Sequence, residues 1–167
     1  MATRKPRGRR VPDSEDGPGA AAEKRSRPDP AYRYLESSAV LAALLERDAG
    51  ARRAIRARGT RVASALTFAE GARAILRARA AERLTPSEAR AARRALDTLE
   101  RRCAVIAVSE AVLARVGQPS PVEPVRTLDA VHLATAELLG ARPRLLVVVT
   151  RDARIRDNAA AFGYRTA

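Results

Sequence analysis

The 167-residue sequence contains one cysteine (Cys103), one histidine (His132) and no tryptophan. A single cysteine excludes a disulfide framework and a cysteine-based zinc site, and a single histidine excludes a multi-histidine metal centre. Carboxylate oxygens must therefore supply most ligands of any bound metal, which favours a hard ion such as Mg²⁺ or Mn²⁺. Aromatic residues make up only 3% of the chain, so the core must be aliphatic, and Cys103 is interpreted as a small core residue.

Long apolar runs are also missing from the sequence. No segment reaches the roughly 18–20 apolar residues that a membrane-spanning helix requires. The basic N-terminus is not followed by the apolar stretch of a signal peptide. We therefore expect a soluble, cytoplasmic protein that does not associate with a membrane.

Arginine dominates the charge of the chain. There are 32 basic and 19 acidic residues, which give a net charge of +13, and Lys5 and Lys24 are the only lysines. A surface of this kind attracts polyanions, and guanidinium groups bind phosphate in a bidentate manner. A solvated arginine-rich surface without any partner is the alternative interpretation.

Two regions differ in composition. Residues 1–30 hold five of the ten prolines and show no apolar periodicity, which predicts a disordered tail. Residues 31–167 alternate strand and helix patterns, which predicts one domain with a mostly parallel sheet of four to five strands and helices on both faces. Strands are predicted at 31–36, 60–64, 104–108 and 145–150, with an edge strand allowed at 164–166. Helices are predicted at 37–48, 51–58, 66–84, 85–102, 109–116, 126–140 and 151–163.

Several residues match the preferences of helix ends. Ser37, Ser38 and Thr127 are candidate N-caps, and Thr85 opens a capping box with Glu88, with Pro86 at the first helical position. Gly140 and Gly163 are predicted to end their helices.

Four acidic residues occupy equivalent places in this pattern. Glu36 ends the first strand and Asp152 follows the strand 145–150, while Glu70 and Asp129 lie in the first turns of helices. Working residues of such sheets lie at the carboxyl ends of the strands, so the four acids are expected to converge on one edge. Clustered carboxylates repel one another unless a cation balances them, so the pattern predicts a Mg²⁺ or Mn²⁺ site. Any one of these acids alone is equally typical of a side chain that opposes a helix dipole.

Four strings of the sequence resemble a known family. YLESSAVLAALL, SALTFAEGARAIL, RTLDAVHLATAELL and VVVTRDARIRDNAAAFGY are similar, in order and spacing, to the PIN domain, in particular to the VapC-like toxin ribonucleases of bacterial toxin–antitoxin pairs. The resemblance covers about residues 32–167. It implies a three-layer α/β/α fold and a metal-dependent endoribonuclease that uses Mg²⁺ or Mn²⁺.

The resemblance also assigns roles to residues. Glu36, Glu70, Asp129 and Asp152 match the catalytic, metal-binding acids, and Ser38 and Thr150 match small hydroxyl positions beside them. The family usually has Asp where this chain has Glu36, and the longer side chain puts the rate and the metal preference in question. Arg126 and Arg151 are candidates to hold an RNA phosphate beside the metal. The implied partners are RNA, a cognate antitoxin and a second copy of the chain.

Two alternatives stay open. A catalytically weak or inactive PIN-like module would bind RNA or protein through its arginines without divalent ions. His132, three residues after Asp129, is either a partner of the acids or simply a buried histidine whose hydrogen bonds are satisfied.

Overall fold

The computed structural model describes residues 30–167, so the predicted disordered tail lies, apart from Pro30, outside the described residues. A short 3₁₀ turn at Pro143–Leu145 precedes the fourth strand. The elements in chain order are β1 (Tyr32–Leu35), α1 (Ser37–Leu44), α2 (Ala49–Arg56), β2 (Thr60–Ser64), α3 (Ala65–Ala80), α4 (Pro86–Glu100), β3 (Ala104–Ile106), α5 (Glu110–Val116), α6 (Thr127–Leu138), β4 (Leu146–Val149), α7 (Ala153–Ala161) and β5 (Arg165–Thr166).

The strands form one sheet in the order β3-β2-β1-β4-β5, and all four pairings are parallel. This arrangement confirms the predicted parallel sheet, including its edge strand. The central strand β1 pairs with β2 on one side and with β4 on the other, and Leu35 lies in register with Val149. The residues that follow β1 and β4 are therefore neighbours, although they are more than one hundred positions apart in the chain.

Helices cover both faces of the sheet, which confirms the three-layer architecture. Alternation along β1 sends Leu35 to one face and Tyr34 to the other. Leu35 packs in a cluster that includes Phe68 and Leu96, and Cys103 lies partly buried against it. Tyr34 packs in a second cluster with Leu133 and Ile155 from α6 and α7. The core is almost entirely aliphatic, as the composition requires.

Helix ends follow the sequence signals in part. The capping box at Thr85 is confirmed, because its hydroxyl accepts from the backbone N–H of Glu88, whose carboxylate accepts from that of Thr85. Gly140 and Gly163 end their helices with φ of +66° and +81°, values that glycine adopts without strain.

Two predicted N-caps are wrong. The N-cap of α1 is Glu36 rather than Ser37 or Ser38, because the Glu36 carboxylate reaches the backbone N–H of Ser38. The N-cap of α6 is Arg126 rather than Thr127, and no side chain caps this helix.

Several helices and strands are shorter than predicted. The helix predicted at 37–48 ends at Leu44, and the helix predicted at 66–84 ends at Ala80. The strand predicted at 104–108 has three residues, since it pairs on one side only and its Val105 is exposed. Within residues 30–167, no helix combines the length and apolarity needed to cross a bilayer.

Leu96 is the one residue of α4 that is fully buried, and its side chain packs against α3 at Gly71. We expect Leu96→Ala to lower the free energy of unfolding by about 2–5 kcal/mol, because it leaves a cavity where α3 and α4 meet. The control Leu138→Ala, at an exposed position at the end of α6, should cost no more than about 0.5 kcal/mol. Urea unfolding of both variants checks this, and equal losses would contradict the packing.

Candidate active site

The sheet brings the predicted acids to its carboxyl edge. Glu36 follows β1 directly as the N-cap of α1, and Asp152 is the N-cap of α7, two residues beyond β4. Asp129 lies in the first turn of α6, and Glu70 lies in α3, which follows β2. All four acids thus occupy segments that leave, or cover, the ends of the three central strands.

Glu36 is buried, with 3% of its surface exposed, and its carboxylate accepts four hydrogen bonds. Oε1 accepts from the Ser37 hydroxyl at 2.7 Å and from the Ser38 backbone N–H at 2.9 Å. Oε2 accepts from the Thr150 hydroxyl at 2.7 Å and from the Ser38 hydroxyl. These donors come from α1 and from the end of β4, so Glu36 joins the two segments.

The two hydroxyls that bond Oε2 are fixed by backbone groups of the turn between β4 and α7. The Ser38 oxygen accepts from the backbone N–H of Arg151 at 2.7 Å and of Asp152 at 3.1 Å. The Thr150 oxygen also accepts from the Asp152 N–H, at 3.0 Å. Ser38 and Thr150, which the resemblance placed beside the acids, thus connect Glu36 to the backbone that carries Asp152.

Asp129 carries a buried oxygen without a partner. Its Oδ2 makes no hydrogen bond to any described residue. Burial, together with the negative charges of Asp152 and Glu36, raises the pKa of Asp129 above its ordinary value. A buried, unpaired carboxylate oxygen that is repelled by two other acids is costly unless a cation or a proton compensates it. This donor set fits a hard divalent cation.

The fourth acid, Glu70, is held by a chain of buried side chains. Nε2 of His132 lies 2.8 Å from Glu70 Oε2, and Nδ1 lies 3.0 Å from the Tyr34 hydroxyl. Burial raises the pKa of Tyr34, so its hydroxyl stays protonated and donates to Nδ1, while Nε2–H donates to Glu70. Burial opposes ionisation of Glu70, but the hydrogen bond from His132 lowers the pKa of Glu70, and the net change is downward. His132 is thus both buried and a partner of an acid.

His132 also links Glu70 to Glu36, because Nε2 lies 4.0 Å from Glu36 Oε1. The His132 ring therefore lies close to both glutamates of the site. Within residues 30–167, no group of three or more Asp, Glu, His or Cys side chains lies close enough to hold one metal ion by itself. A cation here would take its remaining ligands from water or from a bound substrate.

The two candidate phosphate-binding arginines differ in their surroundings. Arg126 is exposed at the N-terminus of α6. Arg151 donates from Nε to Asp48 Oδ2 at 3.0 Å, a hydrogen bond that lowers the pKa of Asp48 to about 2. Their contact with phosphate stays a prediction.

Three residues at this edge have roles in the site that were not predicted from the sequence, where Ser37 was a candidate N-cap only. Ser37 donates to Glu36, Tyr34 completes the chain through His132, and the positive charge of Arg154 acts on Asp129. The run of two serines after Glu36 is a signal for Ser37. No sequence signal distinguishes Tyr34 from an ordinary core residue, because its position in β1 already predicts burial.

Glu70 should make stability depend on pH. Its pKa is lower in the folded chain than the ordinary value of 4.5, so its stabilisation is present above that pH and is lost as pH falls through the lowered value. We expect Glu70→Gln to cost about 1–2 kcal/mol at pH 7 and almost nothing near pH 3. Urea unfolding at both pH values checks this. The exposed Glu46→Gln control should behave like the wild type at both, and a pH-independent loss for Glu70→Gln would contradict the interpretation.

Comparison with known proteins gives a family match over this same region. Residues 33–161 match the family described as PIN domain. The chain is 42% identical over 132 residues to Ribonuclease VapC46 of Mycobacterium tuberculosis (strain ATCC 25618 / H37Rv), an alignment that covers 78% of this chain and 92% of that protein.

Two solved structures share the fold. VapBC2 from Rickettsia felis, bound to a DNA fragment from its promoter, superposes with a TM-score of 0.57 at 12% identity, covering 81% of this chain and 97% of that chain. VapBC-1 from nontypeable Haemophilus influenzae gives a TM-score of 0.52 at 15% identity, covering 81% and 96%. The extent of the family match and the 42% identity together show that the chain belongs to the PIN domain family.

Proposed function

We propose that the protein is a metal-dependent endoribonuclease and the toxin of a toxin–antitoxin pair. The observation that carries the proposal is the buried Oδ2 of Asp129, which has no partner among the described residues and is repelled by the charges of Asp152 and Glu36, in a chain 42% identical to a named ribonuclease. Mg²⁺ or Mn²⁺ is the proposed cofactor, RNA the proposed substrate and the cytoplasm the proposed location.

The residues at the carboxyl edge of the sheet have different proposed roles, which follow from their chemistry. Asp129 and Asp152 would hold the cation, which activates a water for in-line attack and neutralises charge on the phosphodiester. Glu70, kept ionised by His132, offers an acceptor that orients a water or an RNA hydroxyl. Arg126 and Arg151 are proposed to hold RNA phosphates, and Ser38, Thr150 and Glu36 hold the edge together.

The antitoxin is proposed to occupy a groove that is lined mainly by helices and reaches Arg61 of β2. This groove has a volume of about 770 Å³ and lies between α1, α2 and α4. Its floor is apolar, with Leu44, Ile55 and Leu99, while Glu88 is the only acidic lining residue in the described part of the chain. An acidic segment with apolar anchors suits this lining. The arginines that line it are Arg47, Arg52, Arg56, Arg61, Arg83, Arg94 and Arg102.

A second copy of the chain is the remaining proposed partner. Leu76, Val105 and Leu113 are large apolar side chains that the described part of a single chain leaves exposed. Burial of such side chains at a subunit contact is favourable, and the proposal of a homodimer rests on this.

RNA cleavage should depend on Asp129. We expect purified protein to cleave single-stranded RNA in Mg²⁺ or Mn²⁺ and to stop when EDTA is added. Asp129→Asn should reduce the rate by about 100-fold or more, since a transition-state charge loses its compensation. The control Asp157→Asn changes an exposed Asp of α7 and should cleave normally. Cleavage that survives Asp129→Asn would refute the proposal, and salt-sensitive RNA binding without cleavage by the wild type would identify a binding module instead.

Neutralisation by the antitoxin should depend on the groove. We expect expression to arrest growth and co-expression of the small adjacent gene product to relieve the arrest. Arg56→Glu combined with Arg94→Glu should abolish relief but leave RNA cleavage intact, because both arginines line the groove away from the acids. The pair Arg90→Glu and Arg144→Glu, exposed and outside the groove, is the matched control. Relief that persists in the groove variant would place the antitoxin elsewhere.

A further inference from the structure

The carboxylate of Glu36 has no acceptor position left for a cation. An ionised carboxylate offers about four lone-pair positions. Ser37 and the Ser38 N–H occupy those of Oε1, and the Ser38 and Thr150 hydroxyls occupy those of Oε2. The group is also 97% buried, so it satisfies its hydrogen bonds within the protein rather than with water.

The two hydroxyls that donate to Oε2 are held in place by further hydrogen bonds. The Ser38 oxygen accepts two backbone N–H groups, from Arg151 and Asp152, and donates its only proton to Glu36. The Thr150 oxygen accepts the Asp152 N–H in the same way. The Ser38 and Thr150 oxygens also lie 3.3 Å from each other, but each lies closer to Oε2, so both protons are assigned to Oε2. A cation at Oε2 would displace both protons and break the connection to the turn before α7.

Asp129 and Asp152 differ from Glu36 in the hydrogen bonds that their carboxylates accept. Oδ2 of Asp129 is buried and has no hydrogen-bond partner among the described residues. Asp152 uses one oxygen, Oδ1, to accept the backbone N–H groups of Arg154 and Ile155 as the N-cap of α7. Its other oxygen accepts no hydrogen bond within residues 30–167. Asp129 and Asp152 thus each keep an open carboxylate oxygen, which Glu36 does not.

The length of the Glu36 side chain explains how all the acceptor positions of its carboxylate become occupied. Glu36 caps its own helix at the Ser38 N–H and still reaches Thr150 on the neighbouring strand. Aspartate, which is one methylene shorter and is the usual residue of the family here, would cap the helix with less reach across to β4. The Glu at this position is therefore suited to join two segments.

We propose that Glu36 is a structural anchor that binds no cation, and that the open carboxylates of Asp129 and Asp152 are the ones that hold the cation. This inference rests on the proposed function for the existence of the cation. The assignment of Glu36 itself depends only on the hydrogen bonds of the metal-free chain.

The first test is thermal unfolding of the full chain in EDTA. Glu36→Gln places an amide group against donors, so we expect its Tm to fall by several degrees, roughly 2–4 °C for each kcal/mol lost in a domain of this size. Asp129→Asn removes a buried, repelled charge and should leave Tm unchanged or higher. A Tm of Glu36→Gln equal to or above that of the wild type would overturn the anchor, because neutralising one of several repelling metal ligands relieves repulsion.

The second test is calorimetric titration with Mn²⁺. Ser37→Ala removes a donor from Oε1 without touching the turn before α7, so Mn²⁺ affinity should be unchanged or higher. If Glu36 were a ligand that its hydroxyl donors orient, the same change would weaken binding by about 10–100-fold and the proposal would fail. Asp152→Asn is the positive control and should lose binding by at least about 10-fold.

The two tests separate the possible failures. A wild-type chain that binds no Mn²⁺ would overturn both the cation of the proposed function and its assignment to Asp129 and Asp152. The unfolding comparison would still decide whether Glu36 is an anchor. Should Glu36→Gln not fold, the titration of Ser37→Ala remains able to refute the proposal.

Discussion

The pairing of β1 with β4 is the constraint on which the site depends. These strands are distant in sequence, and their parallel register sets Leu35 opposite Val149. The next residues, Glu36 and Thr150, therefore meet at the point where the chain leaves the sheet in two directions, which is where parallel sheets form their clefts. The hydrogen bond between them closes this junction. Without that register, α1 and α7 would begin in unrelated places and their N-caps would not share donors.

Charge is distributed unevenly in a chain of net charge +13. The arginines lie mostly at the surface and along the groove between α1, α2 and α4, whereas the four acids gather at the carboxyl edge of the sheet. Helix N-termini and serine and threonine hydroxyls stabilise two of these carboxylates, and His132 stabilises Glu70. Among residues 30–167, Asp129 keeps a buried carboxylate oxygen without a hydrogen-bond partner. The protein thus concentrates its electrostatic cost in the place where a cation or substrate can relieve it.

Much of the fold follows from local patterns. The apolar segments predicted the strands. Their alternation with helices predicted a parallel sheet, because neighbouring parallel strands need a crossover connection. The capping box at Thr85 and the glycine stops at 140 and 163 were readable for the same local reason. The N-caps of α1 and α6 could not be predicted in this way. Serine and threonine are suitable at both helix starts, but the longer side chain of Glu36 caps α1 and no side chain caps α6. The hydrogen-bond chain from Tyr34 through His132 to Glu70 was equally hidden, since it joins residues 98 and 62 positions apart.

The sequence by itself determined which side chains are available: four acids at strand ends and helix starts, hydroxyls beside two of them, and one histidine on the helix of Asp129. It determined this because strand and helix periods are local, and the ends of parallel strands face one way. Only the tertiary structure decided which carboxylate oxygens are left without hydrogen bonds and so are open to a cation. Glu36 is closed and Asp129 is open because their donors come from other segments, and the orientation of a side chain depends on the neighbours that packing brings to it.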